Sequence, residues 1–272
     1  MRLDQVRFEA MGAACHLLGV DLEPGRLSWG MAWVAGMQDR FSRFEPDSEL
    51  SRFNAAAGGW VEVSPELEGL LRAALDAHGV SGGLVDAGVL RPMLAIGYTR
   101  PLRLGPTGAA LAEAAPVRPL PEVLEVEPGR ARLRPGAGID LGGIAKGWLA
   151  DRLAAELGEN CLVNLGGDLF ARGTGPEGEG WPVGLGRVTV LLRDHGAATS
   201  GTDRRAWRHG ADRLHHLIDP RTGRPALSDL VEASVVAPRA AEAEVHAKTA
   251  LLLGADRAPL YLAAHALAWW VR

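Results

Sequence analysis

Lysine is nearly absent from this sequence. Lys146 and Lys248 are the only two, and the other 27 of its 29 cations are arginine. A GC-rich coding bias accounts for the skew, but it makes the place of each lysine informative. Cysteine is scarce too. Cys15 and Cys161 stand in apolar, strand-like runs and read as buried free thiols, and no CxxC pair or Cys/His cluster has zinc spacing. Net charge is −4, so there is no basic field to hold nucleic acid or anionic lipid. No stretch approaches the ~18 to 20 apolar residues of a membrane span, and the first residues lack a signal core or lipidation cysteine. A cytoplasmic protein is expected. Walker, GxGxxG and GxSxG patterns are missing, as is any long internal repeat.

What remains has the balance of an ordinary globule, 47% hydrophobic and 23% charged over 272 residues, read as a single domain over 1–272. Residues 6–21 form strand interrupted at Gly12. Leu27, Met31, Val34, Met37 and Phe41 recur at helical spacing. Asp47 or Ser48 can cap a short helix carrying Leu50 and Phe53. Ser64-Pro65-Glu66 opens a helix that runs to about His78. A short helix falls around 88–97, and 99–121 is irregular. Hairpins are expected at 122–134 and at 161–172, over Pro128-Gly129 and Gly166-Gly167. Residues 141–157 and 240–253 read as helices; 183–192, 197–200, 232–237 and 266–272 read as strands. Hairpin-joined strands with helices inserted in blocks give an α+β class, mostly antiparallel sheets with flanking helices.

Three segments carry chemistry. The first runs Asp140-Leu141-Gly142-Gly143-Ile144-Ala145-Lys146-Gly147. A strand end delivers a carboxylate, two glycines allow close backbone approach, and a helix begins. Its free amides favour an anion, and Lys146 can add positive charge to a phosphate. Asp140 could accept from a ribose hydroxyl or a ring N–H. An Asp-capped, glycine-rich helix start of purely structural purpose explains the same residues. The second is Thr199-Ser200-Gly201 with His215-His216-Leu217-Ile218-Asp219-Pro220-Arg221-Thr222-Gly223. Its histidines could serve a substrate, or flank a structural hairpin with one exposed and one buried imidazole. The third, Ser42-Arg43-Phe44 with 48–54, offers an aromatic and the Asn54 amide to a planar ring; taken by itself, capping plus core packing is the favoured account.

Taken in order, these segments resemble the FAD:protein FMN transferase (ApbE-like) family. The resemblance runs through Met11-Gly12, residues 47–54, Val85-Asp86 with Ile96-Gly97-Tyr98, and 140–147. It continues through Val163-Asn164-Leu165-Gly166-Gly167-Asp168, Thr199-Ser200-Gly201, 216–223 and Thr249 to Gly254. It implies an FAD site in a cleft between two intertwined lobes. It also implies Mg2+-assisted transfer of FMN from FAD to a Ser or Thr hydroxyl of an acceptor flavoprotein, releasing AMP. By matched position, Met11 and Phe44 would line the flavin or adenine site, and Asn54 would lie near the flavin. Ala95, Ile96 and Gly97 would offer backbone to the nucleotide. Asp140 and Lys146 would bind polar groups of FAD, Thr199, Leu217 and Ile218 would flank it, and His216 would act as base or positioning group.

One tract departs from the family pattern. Its metal helix usually reads Asp-x-x-x-Thr, and here Val245 precedes Thr249 by four. Glu244 lies about 100° round the helix from that position. Three readings stand open: Glu244 replaces the acid through its longer arm; Lys248 puts its ammonium in the metal's place and neutralises the diphosphate; or no divalent ion binds, leaving a flavin binder. A weak outer-sphere site around Thr249 and the Gly143 carbonyl also survives. For function, a transferase is the main reading; a non-catalytic FAD-binding protein, motivated by Val245 and Lys248, and an FAD pyrophosphatase, with water replacing the acceptor hydroxyl, are the alternatives.

Overall fold

The computed structural model describes residues 1–272 except Ala57, Leu111, Ala112, Glu113, Arg204 and Ala211. Strands β1 (Leu3–Ala10) and β2 (Ala13–Val20) form a hairpin with Leu3 opposite Val20. Its two-residue turn has positive φ at both Met11 and Gly12, the geometry that matches the twist of paired strands. Helix α1 (Arg26–Phe41) follows, then α2 (Glu49–Ala55), capped by Ser48, whose Oγ accepts from the Ser51 amide at 2.9 Å. After β3 (Trp60–Glu62), α3 (Pro65–Val80) opens on Ser64 and Pro65 as its sequence dictates. Short elements α4 (Leu90–Ala95) and α5 (Leu120–Val123) lead to the hairpin β4 (Leu124–Glu127) and β5 (Arg130–Leu133).

The next helix, α6 (Ala145–Leu157), begins four residues later than its periodicity suggested. Asp140 Oδ1 accepts from the Gly142 amide at 2.8 Å, and the Ile144 amide donates to the Leu141 carbonyl, so 141–144 is a turn and not helix. Then come β6 (Cys161–Leu165) and β7 (Asp168–Arg172). The expected strand over 183–192 is instead a hairpin, β8 (Trp181–Leu185) and β9 (Val188–Leu192), broken where Gly186 takes a positive φ. The chain continues through β10 (His195–Gly201), β11 (Ala206–His209), β12 (Asp212–His215), β13 (Ile218–Asp219), β14 (Arg224–Pro225) and β15 (Glu232–Ala237). It ends with α7 (Ala240–Leu253), α8 (Ala258–His265) and β16 (Ala268–Val271).

These elements divide into two compact units. The first comprises 1–38, 145–201 and 229–272. Its frame is a seven-stranded sheet in the order β1-β2-β6-β7-β10-β15-β16, antiparallel at every pairing. Helices α6 and α7 pack together on it. The β8–β9 hairpin closes over a core that includes Trp181, whose buried indole N–H donates to the Arg172 carbonyl at 2.8 Å. Cys15 pairs with Leu165 and Cys161 with Gly19, at opposite ends of the β2–β6 ladder, and both are free thiols. The second unit comprises 39–144 and 202–228. It holds α2 to α5, the three-stranded sheet β3-β5-β4, and the hairpins β11–β12 and β13–β14. No helix among the described residues is long and apolar enough to cross a membrane. The α+β class with antiparallel pairing is as the sequence predicts.

Candidate active site

In the first unit, both lysines of the chain meet one carboxylate. Glu244 lies on α7, wholly buried, with its side chain 0% exposed. Its Oε1 faces Lys248 Nζ at 2.9 Å, one turn along the same helix, and Lys146 Nζ at 3.4 Å. Its Oε2 accepts from the Gly147 amide at 2.8 Å. That last contact needs α6 and α7 to approach closely at Gly147, where a Cβ would stand 2.6 Å from the Ala240 carbonyl oxygen. Lys146 also pairs with Asp168, the first residue of β7. The turn before Asp168 is fixed by Asn164, whose Oδ1 accepts from the Gly167 amide at 2.8 Å. Burial alone would raise the Glu244 carboxyl; the two ammoniums and the amide outweigh it and hold it below the usual carboxylate range.

The α7 start is pinned from α6. Asp151 accepts from the Ala240 and Ala241 amides at 2.8 and 3.1 Å, capping α7 across the helix pair. Burial pushes its carboxyl up from 3.8 to about 6, against those two amides. Between these values the folded chain keeps a proton the unfolded chain has released. The contribution of this group is therefore complete below pH 4 and lost as pH rises through 6. Asp151→Asn removes that dependence. In urea titrations the unfolding free energy of the parent chain, minus that of the variant, should fall by up to about 3 kcal/mol from pH 4 to pH 7. A difference that stays flat over that range contradicts the assignment.

In the second unit, the strand end that delivers Asp140 is held by Asn54. The Asn54 Nδ2 donates to the Ile139 carbonyl at 2.9 Å, and the Ile139 amide donates back to Oδ1 at 2.8 Å. Asn54 thus positions the backbone with both ends of its amide. Asp140 forms a buried ion pair with Arg43, the side chains 9% and 6% exposed. The Arg43 guanidinium lies 4.1 Å from the centre of the Phe44 ring and 4.6 Å from that of Tyr98. Phe44, Tyr98 and Trp207 form a row with centroids 5.6 and 5.7 Å apart. Among the described residues, Arg43 Nη2 and Trp207 Nε1 are buried donors without a hydrogen-bond partner. Two such orphans beside an aromatic row are what a planar ligand with ring acceptors would satisfy.

The other predicted residues are placed as follows. Met11 sits on the β1–β2 turn, where its amide donates to Gln38 Oε1 at 2.5 Å. Gly97 needs its positive φ, and its carbonyl accepts from Thr107 at 2.8 Å, while the Ala95 carbonyl accepts from Ala110 at 2.7 Å. Those carbonyls therefore serve the 107–110 segment, and the Ile96 side chain joins the core with Ile218. Leu217 is buried and accepts from Ala226. Thr199 Oγ1 meets Ser234 Oγ at 2.9 Å across β10 and β15. Of the two histidines, His215 is buried, its Nε2 facing the Ala226 carbonyl at 3.1 Å, and burial lowers its pKa. His216 is half-buried, between β12 and β13. The Asp219 carboxylate is taken up by Arg221.

The residues offered for a divalent ion fit poorly. Val245 stands buried four before Thr249, and the Thr249 hydroxyl donates back to the Val245 carbonyl at 2.9 Å. Glu244 is already engaged by two ammoniums. Among the described residues no three His, Cys, Asp or Glu side chains are grouped to hold a metal. Sequence reasoning gave roles to Lys146 and Phe44; Arg43, Asp168 and Tyr98 stood in its motifs without a role, and Trp207 was not named. Arg43 next to Phe44, and Asp168 closing the Gly-Gly turn, were the available signals.

A lysine-rich carboxylate cluster at a glycine-rich helix start, and an arginine-backed aromatic row, are the equipment of a nucleotide-handling protein. The chain belongs to the ApbE family, whose profile matches residues 11–269. It is 31% identical over 239 residues to the FAD:protein FMN transferase of Klebsiella pneumoniae (strain 342), covering 80% of this chain and 68% of that one. It is 29% identical over 241 residues to the FAD:protein FMN transferase of Haemophilus influenzae, covering 80% and 70%. The crystal structure of the ApbE protein of Thermotoga maritima superposes with a TM-score of 0.85 at 24% identity, covering 99% of this chain and 94% of that one.

Proposed function

We propose that this chain transfers FMN from FAD to a Ser or Thr hydroxyl of an acceptor protein. The hydroxyl oxygen attacks the phosphorus on the FMN side of the diphosphate. The bond from that phosphorus to the bridging oxygen breaks, AMP leaves with that oxygen, and a phosphodiester joins FMN to the acceptor. The hydroxyl proton goes to a base, for which His216 is our choice by residue type and matched position. What the reaction asks of the protein is charge stabilisation and alignment more than covalent chemistry.

The observation that carries this reading is the lysine cluster at the start of α6, in a chain whose curated relatives are FAD:protein FMN transferases. In this reading Lys146 lends its positive charge to the diphosphate. In the second unit, taken by itself, the orphaned donors Arg43 Nη2 and Trp207 Nε1, with the ring of Phe44, are of the type that a planar ring with acceptors engages. The buried thiols of Cys15 and Cys161 suit a reducing compartment, so we place the protein in the cytoplasm. The resemblance also implies Mg2+, which the residues around Thr249 do not accommodate; no step is assigned to it.

The test is incubation of the purified chain with FAD and an acceptor flavoprotein. AMP in the supernatant and acceptor carrying covalent flavin fluorescence after denaturing electrophoresis are expected in equal amounts. Free FMN with unmodified acceptor would mark a pyrophosphatase. FAD retained without AMP would mark a binding protein.

A further inference from the structure

A chain with two lysines has placed both on one buried carboxylate, in a family whose resemblance calls for a divalent cation near the same helix. The four charges of the cluster are Lys146, Lys248, Glu244 and Asp168. As whole side chains the two carboxylate residues are 0% and 2% exposed, and the two lysines 13% and 11%. What solvent access the four side chains have therefore belongs to the lysines, and the two acids have almost none. An ammonium carries three donors, and among the described residues Lys248 gives one of them to Glu244. Glu244 is fixed in turn by the Gly147 amide, so the Lys248 head is anchored at one point and directed.

We propose that Lys248, anchored by Glu244, is a built-in cation that binds the diphosphate of FAD together with Lys146, so that this chain engages the dinucleotide without a divalent metal. Lys248 is a diphosphate-binding residue in this account, and Glu244 positions it. The position an Asp would need on the same face of α7 as Thr249 is the apolar Val245. An ion brought there would find a valine, a hydroxyl already hydrogen-bonded and an ammonium three residues on, a poor set for a cation that requires oxygen ligands. The arrangement holds two ammoniums, each paired with buried carboxylate, where the family scheme calls for one metal ion.

The inference rests on the proposed FAD chemistry, and its test separates the two. FAD binding to the full chain is measured by calorimetry in EDTA and again in millimolar MgCl2. The expected Kd agrees within threefold between the buffers, and this comparison needs no variant. Lys248→Met should weaken binding at least tenfold in both buffers with no rescue by Mg2+, while Lys248→Arg recovers part of the loss. A Val245→Asp, Lys248→Ala double change should bind FAD in a magnesium-dependent way. Binding by the parent chain that EDTA weakens tenfold or more overturns the inference and leaves the transferase reading standing. So does Lys248→Met that binds as tightly as the parent. No detectable FAD binding in either buffer overturns both.

Discussion

Glu244→Ala will melt far below the parent chain. Among the described residues, the substitution removes the carboxylate paired with Lys248 and a carboxylate paired with Lys146, leaving buried ammonium charge less compensated. Stranding a buried charge in this way costs roughly 3 to 5 kcal/mol. For a chain this long that is about 10 °C in melting temperature, taking roughly 2 to 4 °C per kcal/mol. Glu244→Gln should fall between the two, because it keeps an acceptor for the Gly147 amide but loses the charge. Adding Lys248→Met to Glu244→Ala should return part of the loss, since one stranded ammonium disappears. Scanning calorimetry reads all three. A loss below about 1 kcal/mol for Glu244→Ala would mean that the lysines turn outward to water and that the cluster is not the fixed charge array described above.

The second large effect is expected at Asp140. Its carboxylate ties the Arg43 guanidinium on one oxygen and the Gly142 amide on the other, and both side chains of the ion pair are nearly inaccessible to solvent. Asp140→Ala should cost about 3 to 5 kcal/mol in urea unfolding, for the same reason as at Glu244. The loss should be much smaller in an Arg43→Leu, Asp140→Leu double variant, which removes the stranded charge along with its partner. A strictly additive double variant would show that the two side chains do not act as a pair. The single variant should also alter the quenching of Trp207, because Arg43 stacks on Phe44 and Tyr98 at the head of the row that Trp207 ends.

Several features were legible because their cause is local. Ser64-Pro65 caps and opens α3 through contacts within four residues, and Gly166-Gly167 turns the β6–β7 hairpin through its own positive φ angles. Helix α8 escaped the sequence reading because Ala258-Pro259-Leu260-Tyr261-Leu262 presents no polar stripe, and a short apolar run does not distinguish strand from helix. Val188 to Leu192 continued the apolar alternation of Trp181 to Leu185, so two paired strands read as one; only Gly186 marked the reversal. The late start of α6 has a comparable origin. The side chain of Asp140 competes for the Gly142 amide and holds 141–144 in a turn, which periodicity does not register.

By itself, the sequence determined the α+β class, the glycine-rich segment that begins at Asp140, the family, and the oddity of Val245 before Thr249. Those are properties of neighbouring residues and of their order. Only the tertiary structure decided which charges neutralise one another: that Lys146 reaches Asp168 and Glu244, that Lys248 shares Glu244, and that Asn54 holds backbone. Glu244 reads in sequence as an acid on the wrong face of a helix. What it does depends on how closely α6 approaches α7 at Gly147, a distance set by packing of residues far apart along the chain.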